Sequence, residues 1–242
     1  MKPSSRVPML FGNDGFIVYI AFMQTTSYKI HVSESIGDVS AILNVAEDSM
    51  CMLTLAHGAG AGMTHSFMSS LARELASRGV TTLRFNFPFI EAKKKRPDFA
   101  PVAEKTIEAV IQFADGLTPA QPLFAGGKSF GGRMSSQHLS KQEQTKVKGL
   151  VFFGFPLHPA NEPAVTRAEH LKNVSLPMLF LQGTKDALAQ LDLLRDVCSG
   201  LPSAELQTFE GADHAFMRGK KPLVAELADA ASMWLQNQCA GG

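Results

Sequence analysis

The sequence predicts an α/β fold in which helices cover both faces of a mostly parallel sheet. Short, almost wholly apolar runs alternate with amphipathic stretches over most of the 242 residues, as is typical of strands that are buried on both faces. Alternating apolar and polar residues at 28–32 and 38–45 predict an antiparallel hairpin ahead of the parallel part. No internal repeat, low-complexity tract or linker interrupts the pattern. We therefore expect an N-terminal extension over residues 1–27 and a single domain over 28–242.

The composition excludes several classes of protein. Apolar residues make up 45% of the chain and charged residues 19%, as in ordinary globular proteins. The net charge of +1 favours no polyanionic partner, so we expect no binding to nucleic acid. Three scattered cysteines, Cys51, Cys198 and Cys239, are too few for a disulfide framework and lack the spacing of a zinc site. They predict a reducing, cytoplasmic location, and no metal or organic cofactor is implied.

The first residues contain an apolar run that, with Lys2 and Arg6 ahead of it, resembles a signal sequence. This run, at 15–23, is much shorter than the roughly 20 residues that a membrane-spanning helix needs. Asn13 and Asp14 interrupt the apolar region that a signal peptide would require, and no small-residue cleavage site follows. We expect no association with a membrane. Both Met1 and Met23 stay open as the natural start of translation.

Each further element is predicted from the spacing of its apolar residues and from the glycine or proline near its ends. The remaining strands are predicted at 51–56 and 80–87, from 123 onward, and at 149–155, 177–181 and 205–209. The helices are predicted from Thr64 or Ser66 to Gly79, at 101–117, from the turn at Ser129 to near Gln144, at 188–198 and at 222–236. Strands and helices therefore mostly alternate, as a parallel sheet requires.

The segment 123–133, L-F-A-G-G-K-S-F-G-G-R, carries most of the functional information. It begins as a buried strand, narrows into glycines and continues as a helix, which is the context of a G-x-S-x-G nucleophile turn. Such a turn holds Ser129 in a strained backbone conformation with its hydroxyl exposed. Glycines are needed at 127 and 131 because side chains there would collide with the neighbouring strand and helix. The N–H of Phe130, at the start of the helix, would point at a developing oxyanion.

Two other interpretations of this segment exist. The pentapeptide G-x-S-x-G also occurs by chance in many sequences, so it is moderate support when it stands alone. Gly127, Lys128 and Ser129 also fit the end of the phosphate-binding loop G-x-x-x-x-G-K-[ST]. That motif requires glycine at position 122, where this chain has proline, and it would turn residues 123–126 into a loop. The sequence favours the nucleophile turn.

The residues that follow the predicted strands complete a set of catalytic groups. In open parallel sheets, active groups lie on the loops at the carboxyl ends of the strands. Ser129 follows the fifth predicted strand, Asp186 the seventh and His214 the eighth. A serine hydroxyl needs a neighbouring imidazole to take its proton, and a carboxylate to fix the imidazole tautomer. Asp213 is the rival carboxylate, but adjacent side chains rarely face each other, so we interpret it as a loop-ordering residue.

At these residues the chain resembles the α/β-hydrolase superfamily, and in particular the small, lidless branch related to dienelactone hydrolases. The order serine, acid, histidine matches that superfamily, and the wording G-K-S-x-G-G-R at 127–133 and G-F-P-L-H-P at 154–159 is similar to that of the branch. The resemblance covers residue 28 to the C-terminus. Dienelactone hydrolases use a cysteine nucleophile where this chain has Ser129, so their substrate is not carried over.

The resemblance implies further site residues and an α/β-hydrolase fold without a lid domain. It places the second oxyanion-hole N–H on Ala59, in the loop after the third predicted strand. The connection at 157–176 is too short for a lid domain. The candidate substrate-lining residues are His57, Gly58, Gly60, Lys128, His158 and Arg167.

Other polar residues are interpreted as structural. His65, His138 and His170 lack the spacing of metal ligands. The basic run at 93–96 has no interleaved aromatic residues, so we interpret it as a solvated loop, although an attraction for an anionic substrate stays open.

The sequence as a whole predicts a serine hydrolase that cleaves an ester or thioester of a small or medium acyl substrate through an acyl-enzyme. The expected partner is a small acyl compound, and the oligomeric state stays open. The alternative is a non-catalytic protein-interaction module on the same fold, since a fold does not fix a function.

Overall fold

The computed structural model describes residues 8–11, 17–19 and 24–241. Its strands are β1 (Pro8–Phe11), β2 (Ile17–Tyr19), β3 (Gln24–Ser33), β4 (Gly37–Val45), β5 (Cys51–Ala56), β6 (Val80–Phe85), β7 (Leu123–Lys128), β8 (Val147–Phe153), β9 (Met178–Gly183), β10 (Ala204–Phe209), β11 (Met217–Arg218) and β12 (Lys221–Pro222). The helices are α1 (Ser66–Ala76), α2 (Pro88–Glu91), α3 (Ala100–Leu117), α4 (Phe130–Leu139), α5 (Leu191–Ser199) and α6 (Val224–Ala240), with a 3₁₀ helix at Thr166–Asn173.

Eight strands form one mixed sheet, in the order β10-β9-β8-β7-β5-β6-β4-β3. The six strands from β5 to β10 pair in parallel, which confirms the predicted parallel sheet. β7 lies in the middle, between β5 and β8. The carboxyl end of β7 is therefore flanked by strand ends on both sides, and the segment that follows it is surrounded by loops from the same edge.

The sheet is buried on both faces because its central strands are apolar throughout. One core packs α3 and α4 against the sheet through residues such as Ile107, Val110 and Phe152. The other packs α1 and α6 against the opposite face, with Leu71 and Trp234 among its buried residues. All six residues of β5 are buried. The predicted cover on both faces is confirmed.

The predicted N-terminal hairpin is present as β3 and β4. These strands pair antiparallel with Tyr28 opposite Ala41, and Gly37 supplies the positive φ of 84° at the turn. β4 then pairs antiparallel with β6 and so joins the hairpin to the parallel part. β3 begins at Gln24, inside the predicted extension. The strands β1 and β2 form a separate two-stranded sheet.

Several element ends differ from the sequence prediction for local reasons. The strand predicted at 80–87 ends at Phe85, since Pro88 opens the short helix α2. The helix predicted to reach Gln144 ends at Leu139. The cap of α1 is His65, whose ring accepts from the N–H of Phe67, and is neither Thr64 nor Ser66. The predicted run at 15–23 lies outside the described residues, except for 17–19.

Within the described part of the chain, no helix is long and apolar enough to cross a membrane.

Candidate active site

Ser129 occupies a strained turn between a strand and a helix. It follows the last residue of β7 and serves as the N-cap of α4, with φ of 50° and ψ of −116°. A serine rarely adopts positive φ, so neighbouring structure must hold it there. The N–H of Ser129 donates to the carbonyl of Phe153, at the end of β8, over 3.2 Å. Residues 123–126 lie in β7, which leaves no phosphate-binding loop.

The glycines on either side of Ser129 allow the turn to approach β5. A Cβ added to Gly127 would lie 2.2 Å from the carbonyl oxygen of Ala56. A Cβ on Gly131 would lie 2.6 Å from the carbonyl oxygens of Ala56 and His57. Both distances are shorter than any side chain tolerates, so the predicted need for glycine has a steric cause here.

Ser129, His214 and Asp186 form one chain of hydrogen bonds. The Ser129 hydroxyl oxygen lies 2.9 Å from His214 Nε2, and His214 Nδ1 lies 2.7 Å from Asp186 Oδ2. A carboxylate only accepts, so Nδ1 carries the proton and Nε2 presents its lone pair to the serine hydroxyl. The Asp186 side chain has no exposed surface, whereas the His214 side chain is 27% exposed. This arrangement can deprotonate a serine that faces solvent.

The two aspartates near His214 have different partners. Asp186 Oδ2 also accepts from Gln182 Nε2 at 2.6 Å, and Oδ1 accepts from the N–H of Leu188 at 2.8 Å. Asp213 Oδ1 instead accepts from the N–H of Met217 at 2.9 Å. Gln182 was not predicted as a site residue. The sequence feature that could have indicated it is a glutamine at the end of an otherwise apolar strand, because a buried amide needs a polar partner.

The start of α4 and the loop after β5 both lie beside Ser129. Phe130 is the first residue of α4, so its N–H has no partner within the helix. A Cβ on Gly58 would lie 3.7 Å from Ser129 Cβ, which brings the loop after β5 against the serine. Ala59 is the next residue of that loop. An oxyanion hole formed by Ala59 and Phe130 stays a prediction.

Comparison with known proteins identifies the family. A sequence model described as the alpha/beta hydrolase domain matches residues 49–235. The chain belongs to the α/β-hydrolase family. The resemblance drawn from the motifs is thereby confirmed at the level of the superfamily.

Solved structures share the fold over most of their length. A dienelactone hydrolase from Anabaena variabilis superposes with a TM-score of 0.72 and 19% identity, covering 89% of this chain and 98% of that one. A serine hydrolase homologue from Coxiella burnetii gives 0.70 and 20%, covering 89% and 100%. A lidless serine hydrolase from Xanthomonas campestris gives 0.68 and 19%, covering 88% and 94%. At these identities the likeness concerns the fold.

Two of the candidate substrate-lining residues of this α/β hydrolase are buried and fully bonded. His57 has no exposed surface; its Nδ1 donates to the carbonyl of Gly58 at 2.7 Å, and its Nε2 accepts from the N–H of Phe87 at 3.0 Å. Burial lowers the pKa of His57 to about 4. His158 likewise uses both ring nitrogens, toward Pro159 and Gln190. Both rings thus hold neighbouring loops through their two nitrogens, and their part in lining a substrate site stays a prediction.

The other lining candidates lie at three different places. Gly60 is exposed in the loop after β5. Arg167 lies in the 3₁₀ helix at Thr166–Asn173, close enough to Arg133 for its charge to lower the pKa of that guanidinium, after the larger effect of burial. The structure brings Lys128, unlike these residues, into direct contact with the proposed base. Its Nζ lies 3.2 Å from His214 Nε2.

The wall beside Ser129 is aromatic. Phe130 packs edge-to-face against Phe87, with ring centroids 5.3 Å apart, and against Phe89 at 6.3 Å. Phe87 and Phe89 are almost completely buried, whereas Phe130 is half-buried. On this side of the serine, Phe130 therefore contributes an apolar ring, which suits an uncharged acyl group.

Proposed function

We propose that this α/β hydrolase is a serine hydrolase that cleaves an ester or thioester of a small or medium acyl substrate. The observation that carries the proposal is the unbroken line from the Ser129 hydroxyl through His214 to Asp186, at 2.9 and 2.7 Å. It stands in a strained strand-to-helix turn, the context in which G-x-S-x-G presents a nucleophile. Two of the structural neighbours are named serine hydrolases, which supports the proposal.

The proposed reaction has two acyl-transfer steps. The Ser129 oxygen attacks the acyl carbon while His214 Nε2 takes the hydroxyl proton. The N–H groups of Phe130 and Ala59 would stabilise the oxyanion that forms. His214 then gives the proton to the leaving alcohol or thiol, and the acyl-enzyme remains. Water attacks this ester with His214 again as base, which releases the acid and restores Ser129.

A non-catalytic interaction module, the alternative function, gives no reason for the alignment of Ser129, His214 and Asp186. A binding module gains nothing from a strained serine whose hydroxyl meets an imidazole lone pair, and backbone strain of this kind tends to occur at functional sites. The alignment of Ser129 with His214 therefore favours an enzyme.

Labelling with a fluorophosphonate probe tests the proposal. We expect the probe to modify the wild type at Ser129, identified by mass spectrometry, and to leave Ser129→Ala unlabelled. Turnover of p-nitrophenyl acetate should fall by several orders of magnitude in this variant while its melting temperature is kept, because the hydroxyl contributes little to packing. Ser140→Ala, at the far end of α4, is the matched control and should behave as wild type. Equal labelling of Ser129→Ala would refute the proposal.

A further inference from the structure

We propose that Lys128 is a positioning residue that restrains the base: its ammonium competes with Ser129 for the lone pair of His214 Nε2. The inference rests on the proposed hydrolase function. Lys128 directly precedes the nucleophile in the G-x-S-x-G turn, and the sequence predicted it only as a substrate-lining residue.

The two donors converge on one nitrogen. The Lys128 Nζ lies 3.2 Å from His214 Nε2, and the Ser129 oxygen lies 2.9 Å from the same atom. The Nδ1–H of His214 is already donated to Asp186, so the ring has a single lone pair to offer. Among the described residues, this contact is the one hydrogen bond that the ammonium makes. Each bond from Lys128 to Nε2 therefore weakens the bond from Ser129.

The ring of Phe216 and the space left by Gly154 accommodate the Lys128 ammonium. Its Nζ lies 5.3 Å from the centroid of the Phe216 ring, a cation–π distance. Gly154 leaves the necessary space: a Cβ there would lie 3.1 Å from Lys128 Nζ, 3.3 Å from the Phe216 ring and 3.6 Å from Asp186 Oδ2. Gly154 has φ of 74° and Phe216 has φ of 57°, both in the left-handed region. Glycine adopts this conformation without strain whereas Phe216 is strained, and together the two residues shape the space around the amine.

The charged groups that face Lys128 come from two loops. Asp186 lies after β9, and Asp213 and His214 lie after β10; the charges of both aspartates favour the ammonium. From the other two sides, Gly58 and Gly154 contribute no side chain. Burial outweighs the two carboxylates and lowers the pKa of Lys128 to about 8. The lysine can therefore lose its proton within the working range of an enzyme.

Loss of the Lys128 proton changes both the charge and the hydrogen bonding next to His214. While Lys128 is charged, a second positive charge on His214 is disfavoured, and proton transfer from Ser129 to His214 creates that charge. Once Lys128 is a neutral amine, the repulsion disappears and the competing bond weakens, since a neutral donor is the weaker one. The kcat/KM should therefore show a further rise near pH 8, beyond the rise at lower pH that any general base produces.

The test compares pH profiles of the full chain between pH 5 and 10, with buffer hydrolysis of p-nitrophenyl acetate subtracted. We expect a second, several-fold rise near pH 8 in the wild type. Lys128→Met should lack this rise and be several-fold faster than wild type at pH 7. Lys128→Arg keeps a permanent charge, so it should stay slow without a second rise. Lys185→Met removes an exposed charge beside Asp186 and should keep the wild-type profile.

A second readout separates this proposal from the proposed function. The ¹⁵N resonance of His214 Nε2 should shift near pH 8 in the wild type and not in Lys128→Met, whether or not the protein turns over ester. Lys128→Gln, neutral and polar, replaces the methionine variant if the latter fails to fold. A single-step profile in the wild type, or a second rise that survives in Lys128→Met, overturns the restraint by Lys128. If the wild type shows neither turnover nor probe labelling but keeps the resonance shift near pH 8, the proposed hydrolase function is wrong. The proposed contact of Lys128 with His214 would still stand.

Discussion

At the scale of single residues, the carboxylates of Asp186 and Asp213 differ in what they contact. Asp186 is completely buried and meets His214, Gln182 and the N–H of Leu188. Asp213 is exposed and holds the N–H of Met217. Only the former is in line with the imidazole, so the two should respond differently to the same amide substitution.

We expect Asp186→Asn to lower turnover by about 10⁴, because an amide there favours the wrong imidazole tautomer. Stopped assays with p-nitrophenyl acetate measure the loss.

Asp213→Asn is the matched control, and its cost should be far smaller because its bond to Met217 can be kept by the amide oxygen. A larger loss in Asp213→Asn than in Asp186→Asn would show that the wrong carboxylate has been assigned.

The sequence could predict Ser129, Asp186 and His214 because each follows an apolar strand and carries reactive chemistry. It could not predict that Lys128 reaches His214, 86 residues away, since that contact depends on the space left by Gly154 and on the ring of Phe216. Nor did it indicate that His57 and His158 are fully bonded, because a histidine in a loop looks the same in the sequence whether it faces substrate or backbone.

At the scale of elements, the turn between β7 and α4 depends on contact with β5. The first turn of α4 lies directly against the carbonyl oxygens at the end of that strand. The strain at Ser129 is maintained by this contact and by the bond from its N–H to Phe153.

Gly131→Ala should therefore destabilise the protein by about 1–3 kcal/mol, the usual cost of overpacking, because its Cβ would meet two carbonyl oxygens at 2.6 Å. Turnover should fall as well, since α4 must shift and Phe130 with it. Urea denaturation and ester hydrolysis measure the two effects.

Gly116→Ala offers the matched control, because this helical glycine of α3 has open space around it. It should raise stability by about 0.5–1 kcal/mol through helix propensity. Equal effects of the two substitutions would contradict the steric account of the turn.

Element ends were the least predictable feature at this scale. The apolar pattern located β5 at 51–56, as observed, since all its residues are buried. The end of α4 was missed because the polar residues after Leu139 are as compatible with a helix as with the turn that they form. The 3₁₀ helix at Thr166–Asn173 has few apolar residues, so its pattern gave no signal.

At the scale of the whole molecule, a neutral buried histidine makes the fold sensitive to acid. Burial lowers the pKa of His57 from 6.5 to about 4, so between these values the unfolded chain binds the additional proton. Stability should therefore fall as the pH drops from 6.5 toward 4. Between pH 6.5 and 5, His57 alone should cost about 2 kcal/mol. The pKa of His170 is lowered to about 4 as well, by burial and by the charge of Arg133, and acts in the same direction.

Urea denaturation at pH 7 and pH 5 checks this expectation. His57→Gln should be less stable at pH 7, because one of its two backbone hydrogen bonds is lost, yet its stability should change less between the two pH values. If the free energy of unfolding changes as much between pH 7 and pH 5 in His57→Gln as in the wild type, His57 is not a source of acid sensitivity.

For the molecule as a whole, the order of the strands in the sheet could not be predicted from the sequence. Apolar strands that alternate with helices predict a parallel sheet, but they do not tell which strands are neighbours. The placement of β7 between β5 and β8 follows from packing across the entire chain. For the same reason the sequence could predict the turn at Ser129 but not its distances to the side chains that come from other strands.

The distribution of the three proposed catalytic residues along the chain has a consequence for refolding. Ser129 and His214 are 85 residues apart, and the strained turn is held by strands that pair only after long crossovers. Helices form from local contacts within microseconds, whereas such distant pairings form late. A refolding chain will thus regain most of its helical structure before it regains a nucleophile. The return of hydrolysis during refolding therefore reports that β5 and β8 have paired with β7.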